Sequence, residues 1–423
     1  MNGRPAVDAK LVWTWSDYYR LAQELAQRMK ALAPAETHSL CVRAPDLRQG
    51  LLALGAADQL GWGIIFDEKS RFPAEKNGIF VLPETALPPS APALVIELKP
   101  GSTNEALPLR PDLLKVTFST SGSSGQTKFI KKAGPGLCAE VEALRRLFAL
   151  KSEQSVLSLV RPFHIYGFLH ALLLPLSVRA GLTFWPSSDT VPVLSSLPIR
   201  PDLLIAVPSQ WSLIQYVLEH GGLGTLVSSG APFGVQREES LRLYQGSYQY
   251  AYEILGSTET GGIAHRRLDQ EDRLFQLFEE VSVIEMSEEG TLLHSAFVAP
   301  EAEAFTSDRL ELLEGGRVRH RGRADRVFKY GGKRFSLSEI EEALSVLSGG
   351  VSVVCHYAED FSRAQGGTLR AWIESTVNCD VPALRIRYLS QFDLPFPQRI
   401  VQINHFPRDA QGKLQMQQLM QDA

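Results

Sequence analysis

Four short segments bring together residue types that can handle a nucleotide. The first is Thr117-Phe-Ser-Thr-Ser-Gly-Ser-Ser-Gly-Gln-Thr-Lys128, where hydroxyls and glycines alternate ahead of a lysine. Glycine lets backbone N–H groups approach an anion, hydroxyls add donors, and lysine adds charge. Thr120, Ser121, Gly122, Ser123, Ser124, Gly125 and Lys128 therefore read as a triphosphate cradle. The spacing is not that of a Walker loop. A flexible Ser/Gly linker has a similar composition, but this segment follows a strand pattern and precedes a helical one. The second segment is Glu253-Ile-Leu-Gly-Ser-Thr-Glu-Thr-Gly-Gly262. Glu259 beside small hydroxyl residues suits a Mg²⁺ that bridges phosphates, since Mg²⁺ takes only one or two protein carboxylates. A turn with a helix cap reads equally well from the same residues.

The third segment is Phe305-Thr-Ser-Asp308, with the cationic run Arg321 to Arg334 after it. Asp308 can accept from two ribose hydroxyls, and Arg323 can pair with ribose or phosphate. A solvated charged turn is the competing reading. The fourth is Pro407-Arg-Asp-Ala-Gln-Gly-Lys413. A lysine on such a loop can be carried into a site by domain motion, although terminal lysines are more often simply solvated.

Elements must hold these segments in place. Trp15 to Leu32 has helical spacing at Tyr19, Leu21, Leu25 and Met29. Short apolar runs at Leu60–Phe66, Gly78–Leu82, Ala93–Leu98, Val116–Ser119, Val156–Val160, Thr183–Trp185, Leu203–Val207 and Thr225–Ser228 read as strands. Helical patterns lie between several of them, with Leu137, Val141, Leu144 and Phe148 on one face and further helices at Gly167–Leu176 and Gln210–His220. Strands alternating with helices predict an α/β architecture with a largely parallel sheet. From Glu279 to His320 the spacing of turns predicts an antiparallel portion. The last hundred or so residues, with a helix at Ser338–Leu347, suit a small α+β domain.

Bulk composition excludes several classes. The 423 residues carry a net charge of −4, with 44% hydrophobic and 21% charged residues. Such a balance argues against a general nucleic-acid binder. The four cysteines form no CxxC pair, so neither a zinc site nor a disulfide framework is indicated, and a cytoplasmic location is expected. The most apolar segment, Ile165 to Val178, is about 14 residues long and falls short of the roughly 18 of a membrane span.

The four segments, in this order, resemble the adenylate-forming superfamily of acyl-CoA synthetases, adenylation domains and luciferases. Ser119–Lys128 looks like its phosphate loop, and Ser228-Ser-Gly-Ala-Pro-Phe-Gly234 like its adenine-contacting segment. Gly256-Ser-Thr-Glu259 matches Gly-x-Thr-Glu, and Thr306-Ser-Asp308 matches Thr-Gly-Asp with Ser307 in place of glycine. Gly322-Arg-Ala-Asp325 matches the Gly-Arg-x-Asp hinge, and Pro407–Lys413 matches Pro-Arg-x-x-x-Gly-Lys. The resemblance runs over about residues 115 to 415.

It implies a fold as well as roles. The fold is α/β, with a large N-terminal ATP- and acid-binding domain over residues 1–322. That domain has mixed, mostly parallel sheets, helices and a small β-barrel-like portion. A small mobile α+β C-terminal domain covers residues 323–423, with Asp325 as its hinge. Ser229, Gly230, Ala231, Pro232, Gly256 and Ser257 would line the nucleotide. Thr258 would contact phosphate or carboxylate, Glu259 would hold Mg²⁺, and Asp308 and Arg323 would bind ribose. Gly331 would lie by the pantetheine channel, and Lys413 would bridge the substrate carboxylate and the α-phosphate. His164, in Arg161-Pro-Phe-His-Ile-Tyr-Gly167, would gate or line the acyl pocket with Tyr166, Trp211, Ser229, Ala231 and Leu255. Leu255 replaces the usual aromatic residue before Gly256, which makes Tyr252 the candidate to stack on adenine.

The implied activity is activation of a carboxylic acid by ATP, with transfer to the phosphopantetheine thiol of an acyl carrier protein or CoA. The short chain resembles small ligases of aryl-polyene or fatty-acid type biosynthesis. Two alternatives stand beside this reading: a nucleotide-binding paralogue without catalysis, and an adenylate-forming enzyme with a non-thiol acceptor.

Overall fold

The computed structural model describes residues 10–43, 47–67, 79–81, 95–99, 114–121, 127–185, 200–299, 302–330, 333–359, 367–408 and 414–421. Helix Trp15–Leu32 starts at a capping box: Asp17 N–H donates to Thr14 Oγ1 at 3.0 Å, and Thr14 N–H donates to Asp17 Oδ2 at 3.0 Å. The two reciprocal bonds satisfy donors that the first turn would otherwise leave open. Leu25 and Met29 are buried as the spacing predicts, but Tyr18 and Ala22 complete the inner face, not Tyr19 and Leu21. The neighbouring helix Leu47–Leu60, which the sequence reading missed, is buried on nearly every side. A helix buried all round loses the periodicity that marks an amphipathic one.

Two sheets form most of the chain. A five-stranded sheet has the order Ile79–Val81, Ser39–Arg43, Gly63–Asp67, Lys115–Ser121, Thr127–Ala133, parallel except at its last pair. An eleven-stranded sheet has a parallel centre made of Gly181–Phe184, Ser155–Ser158, Leu203–Ala206, Leu223–Ser228 and Tyr248–Ser257. Leu203–Ala206 is buried throughout, as a central parallel strand covered on both faces must be. Beyond Tyr248–Ser257 the same sheet turns antiparallel, through Gly261–Arg267, Phe275–Leu277, Arg317–Arg323 and Asp308–Leu312.

Two expectations need correction. The portion expected to be barrel-like contains an open three-stranded antiparallel sheet, Val281–Met286, Thr291–Ser295 and Glu303–Thr306, and no sheet closes among the described residues. The phosphate-loop segment does not run from a strand into a helix. It joins Lys115–Ser121 to the antiparallel strand Thr127–Ala133, and helix Gly134–Phe148 begins only after that. The strand was hidden because Lys128, Lys131 and Lys132 break its apolar alternation.

A 3₁₀ turn, Ala324–Arg326, separates the last strand of the large sheet from the hairpin Val327–Tyr330 and Lys333–Ser336. The chain beyond it packs around Phe328, Ile340, Leu344, Leu369, Ile373 and Tyr388. Its three-stranded sheet is Val353–Glu359, Gly367–Glu374 and Arg399–Ile403. Among the described residues no helix is long and apolar enough to cross a membrane.

Candidate active site

The strand pairing brings distant motifs together. Asp308 pairs with Arg323 in the ladder between Asp308–Leu312 and Arg317–Arg323. Arg323 Nη1 lies 3.5 Å from Asp308 Oδ2, while its Nε and Nη2 donate to Asp325 at 3.0 and 2.8 Å. One guanidinium thus joins the residue expected at the ribose to the residue expected at the hinge. The bond to Asp325, with the charges of Asp308, Asp325 and Glu259, holds the Arg323 pKa above its usual value against burial. The influence of Glu259 places the second motif within electrostatic reach of the third.

Asp308 is buried and held by more partners than its motif reveals. Thr306 Oγ1 donates to its Oδ2 at 2.6 Å, and His320 Nε2 lies 2.8 Å from its Oδ1. A carboxylate only accepts, so the His320 nitrogen facing it carries the hydrogen. Burial alone would raise the Asp308 pKa. The bonds from His320 and Thr306, with the Arg323 charge, bring it below the usual carboxylate value instead. Sequence reasoning missed His320. It lies on the same strand as Arg323, across from Leu310, a register that the local sequence does not mark.

Glu259 sits exposed on the turn of the hairpin made by Tyr248–Ser257 and Gly261–Arg267. No helix is capped there. Ser257 and Thr260 tie the turn instead: Thr260 N–H donates to Ser257 Oγ at 3.1 Å, and the two hydroxyls lie 3.0 Å apart. Thr258 is half-buried on the turn, and Gly256 lies exposed in the strand before it. Two residues outside every motif anchor this turn. Lys132 Nζ donates to the Glu259 carbonyl oxygen at 3.1 Å, and Gly262 N–H donates to Glu140 Oε1 at 2.6 Å. Glu140 Oε2 is buried without a hydrogen-bond partner among the described residues. Gly261 has φ +74°, and a Cβ there would stand 2.7 Å from that oxygen. Burial pushes the Glu140 carboxyl up to about 7, against the pull of Lys132 and the Gly262 N–H. Burial likewise lowers the Lys132 pKa, opposed by Glu140 and Glu259.

The segment expected beside adenine leaves the parallel sheet at Ser228. Ser229 Oγ donates inward to Ile254 O at 2.9 Å, so its hydroxyl fastens the segment to the neighbouring strand. Gly230, Ala231 and Pro232 are exposed. Phe233 is fully buried, edge-on to Trp211 at 5.6 Å, and its N–H donates to Glu253 Oε1 at 2.8 Å. Phe233 is therefore a packing residue. Leu255 is half-buried against the main core. Tyr252 packs on Phe148, His265 and Arg267.

His164 stands at the N-cap of the helical segment Ile165–Val178, which opens into a π turn at Leu169–Leu173. Tyr166 Oη lies 2.9 Å from Ala206 O and 2.8 Å from Val227 O, so its one hydrogen is shared between the ends of two parallel strands. His170, within the most apolar segment of the sequence, is buried beside it, with Nδ1 3.0 Å from Tyr166 O. Burial pushes its pKa down to about 4, so its ring is neutral. Lys128 is exposed on the strand after the phosphate loop, its backbone opposite Thr120. The residue pair Thr120 and Ser121 is placed in the strand by its backbone. Gly122, Ser123, Ser124, Gly125, Gly331 and Lys413 lie outside the described residues.

No cluster of three or more His, Cys, Asp or Glu side chains able to hold a metal occurs among the described residues. Glu259 offers hard oxygen donors on an exposed turn, which suits a Mg²⁺ whose other ligands come from phosphate and water.

Comparison with known proteins places this arrangement. No curated protein matches the chain. Several solved structures share its fold. An Escherichia coli MenE variant with bound OSB-AMS has 17% identity and a TM-score of 0.73, covering 98% of this chain and 95% of that one. A benzoate CoA ligase from Burkholderia xenovorans LB400 has 14% identity and a TM-score of 0.73, with 97% and 96% covered. The anthranilate CoA ligase AuaEII in complex with anthranoyl-AMP has 16% identity and a TM-score of 0.72, with 98% and 94% covered. Residues 67–277 match the family of AMP-binding enzymes, and the whole chain has the fold of these ligase structures.

Proposed function

We propose that this protein activates a carboxylic acid with ATP, forms an acyl- or aryl-adenylate with release of pyrophosphate, and passes the acyl group to a phosphopantetheine thiol. The observation that carries the reading is the junction of Asp308, Arg323 and Asp325, with Glu259 near enough to act on Arg323. Two motifs meet there across one strand pair, and a third lies within electrostatic reach.

A carboxylate is a poor electrophile because its leaving group would be oxide. Attack of its oxygen on the α-phosphorus forms a mixed anhydride and expels pyrophosphate. The barrier lies in bringing two anions together. Asp308, kept ionised by His320 and Thr306, would accept from the ribose hydroxyls and fix the nucleotide. Lys128 and the backbone of residues 120–125 would cradle the phosphates. Lys132 would hold the Glu259 turn in place from behind. Mg²⁺ held by Glu259 would supply positive charge to the phosphate oxygens. The Lys413 ammonium would stabilise charge that builds on phosphorus. Rotation of the C-terminal part about Asp325 would then withdraw Lys413 and admit the thiol, which attacks the carbonyl carbon and releases AMP. The acceptor in this reading is an acyl carrier protein or CoA, and His164 and Trp211 flank the acid.

The enzyme is expected to exchange labelled pyrophosphate into ATP only when its acid is present. Absence of exchange across a broad panel of fatty and aromatic acids would overturn the reading. Lys413→Ala should lower exchange by about 100-fold or more, with ATP binding nearly unchanged. Mass spectrometry of a holo carrier protein incubated with enzyme, MgATP and mixed acids identifies acid and acceptor together.

A further inference from the structure

The strand after the Glu259 turn carries an arginine that belongs to no motif. Arg266 lies opposite Glu253 in the ladder between Tyr248–Ser257 and Gly261–Arg267. Its side chain is 5% exposed, and those of Glu253 and Glu238, which it meets, are 7% and 2% exposed. Arg266 Nε donates to Glu253 Oε2 at 2.6 Å, and its Nη2 donates to Glu238 Oε1 at 2.5 Å. One planar guanidinium therefore spans two carboxylates from separate elements. Burial would lower the Arg266 pKa, but the charges and bonds of Glu253 and Glu238 hold it above its usual value. Removing one member would leave a buried charge unpaired, so the geometry of the three is strongly enforced.

Both carboxylates fasten the end of the segment Ser228–Gly234. Glu253 Oε1 accepts from Phe233 N–H at 2.8 Å. Glu238 stands on helix Val235–Arg242, whose N-cap is Gly234, and its N–H donates to Gly234 O at 3.1 Å. Gly234 takes φ +87°, a conformation that favours glycine, at the junction between the two anchors. At the other end Ser229 Oγ is tied to Ile254 O. The exposed residues Gly230, Ala231 and Pro232 lie between these ties. Glu238 Oε1 has a second cationic neighbour, Arg273 Nη2 at 3.1 Å, which is half-exposed and touches neither Glu253 nor the segment in any recorded bond.

We propose that Arg266 is a positioning residue for the nucleotide base: by joining Glu253 to Glu238 it holds the backbone of residues 230–232 where that backbone tells one purine from another. The inference rests on the reading of Ser228–Gly234 as the segment beside adenine, and adds to it a residue in the sheet behind. Adenine presents an amino donor at its 6-position, and hypoxanthine presents a carbonyl acceptor. Backbone groups distinguish the two only when they are held at hydrogen-bond distance, because the wrong base then leaves a polar group unpaired.

The test is calorimetric titration of the full chain with MgATP and with MgITP, in the absence of any acid. Wild type should bind ATP about tenfold or more tighter than ITP. Arg266→Gln should bring that ratio to about threefold or less, with triphosphate binding through residues 120–128 retained. Both affinities come from one preparation, so a smaller folded fraction cancels from the ratio. Arg266→Lys keeps the charge and loses the fork, and should give an intermediate ratio. It decides the matter alone if Arg266→Gln fails to fold. Arg273→Gln takes a guanidinium from the same Glu238 oxygen without cutting the clamp, and should stay within about twofold of the wild-type ratio. A wild-type ratio in Arg266→Lys, or in folded Arg266→Gln, overturns the proposal. So does an equal fall in Arg273→Gln, which would assign the effect to local charge, or equal binding of ATP and ITP by the wild type. Failure of the wild type to bind either nucleotide would overturn the ligase reading as well, whereas selective wild-type binding with unchanged variants overturns this inference alone.

Discussion

Asp308 and Glu140 are both buried carboxylates beside a cationic side chain, yet their proton affinities move in opposite directions. Asp308 receives bonds from His320 and Thr306 and faces Arg323. Glu140 receives one backbone N–H, and its second oxygen has no partner among the described residues. Its cation, Lys132, directs its recorded hydrogen bond to the Glu259 carbonyl. Burial is common to both, so the difference comes from the number of donors that favour the charged form. Asp308 is built to stay ionised and to accept. Glu140 is poised near neutrality behind the turn that carries Glu259, where it shapes the backbone.

The largest test of this contrast is removal of the two carboxylate charges one at a time. Asp308→Asn should reduce kcat/KM for ATP by about 100-fold, because a charged acceptor of two hydroxyls is lost. Glu140→Gln keeps an acceptor for Gly262 N–H and should change the same ratio by less than about threefold. Equal losses in the two variants, measured by pyrophosphate exchange, would break the comparison.

The next effect is on stability against pH. The folded Glu140 pKa lies above its unfolded value of 4.5, at about 7. The native state then binds the extra proton between those values, so this group contributes stability at low pH that is lost as pH rises from 4.5 through 7. Asp308 has the opposite sign. Its folded pKa lies below 3.8, so its contribution is present above that pH and is lost as pH falls through the lowered value. Urea unfolding at pH 5 and pH 8 should show a wild-type loss at pH 8 that Glu140→Gln removes and Asp308→Asn leaves in place. A pH slope unchanged in Glu140→Gln would contradict the assignment.

The smallest expected effect concerns Lys132. Lys132→Met removes the donor to the Glu259 carbonyl and should raise the Mg²⁺ concentration needed for half-maximal exchange by about tenfold. Lys132→Arg should restore part of it. An unchanged Mg²⁺ requirement would leave Lys132 with a packing role only.

The reading from sequence drew most on unusual residue types in loops and at strand ends. Thr306–Asp308, Gly322–Asp325 and Gly256–Glu259 could be picked out because small, hydroxyl and charged residues there do not serve packing. The parallel centre was also legible, since strands such as Leu203–Ala206 appear as apolar runs between turns. Helix Leu47–Leu60 was not, because burial all round erases its stripe. Strand Thr127–Ala133 was hidden by its lysines, one of which, Lys132, proves to be buried.

The amino-acid order by itself determined which residue types were available for a nucleotide and the superfamily they resemble, because local chemistry and spacing are properties of the chain. It also determined the alternation of strands and helices, since burial on a sheet or helix leaves a periodic trace. Only the tertiary structure decided that His320 joins Asp308, that Glu140 and Lys132 brace the Glu259 turn across more than a hundred residues, and that Arg266 joins Glu253 to Glu238. Those pairings depend on strand register and on which surfaces meet after folding, and a through-space contact between separate elements leaves no periodic mark in either partner's local sequence.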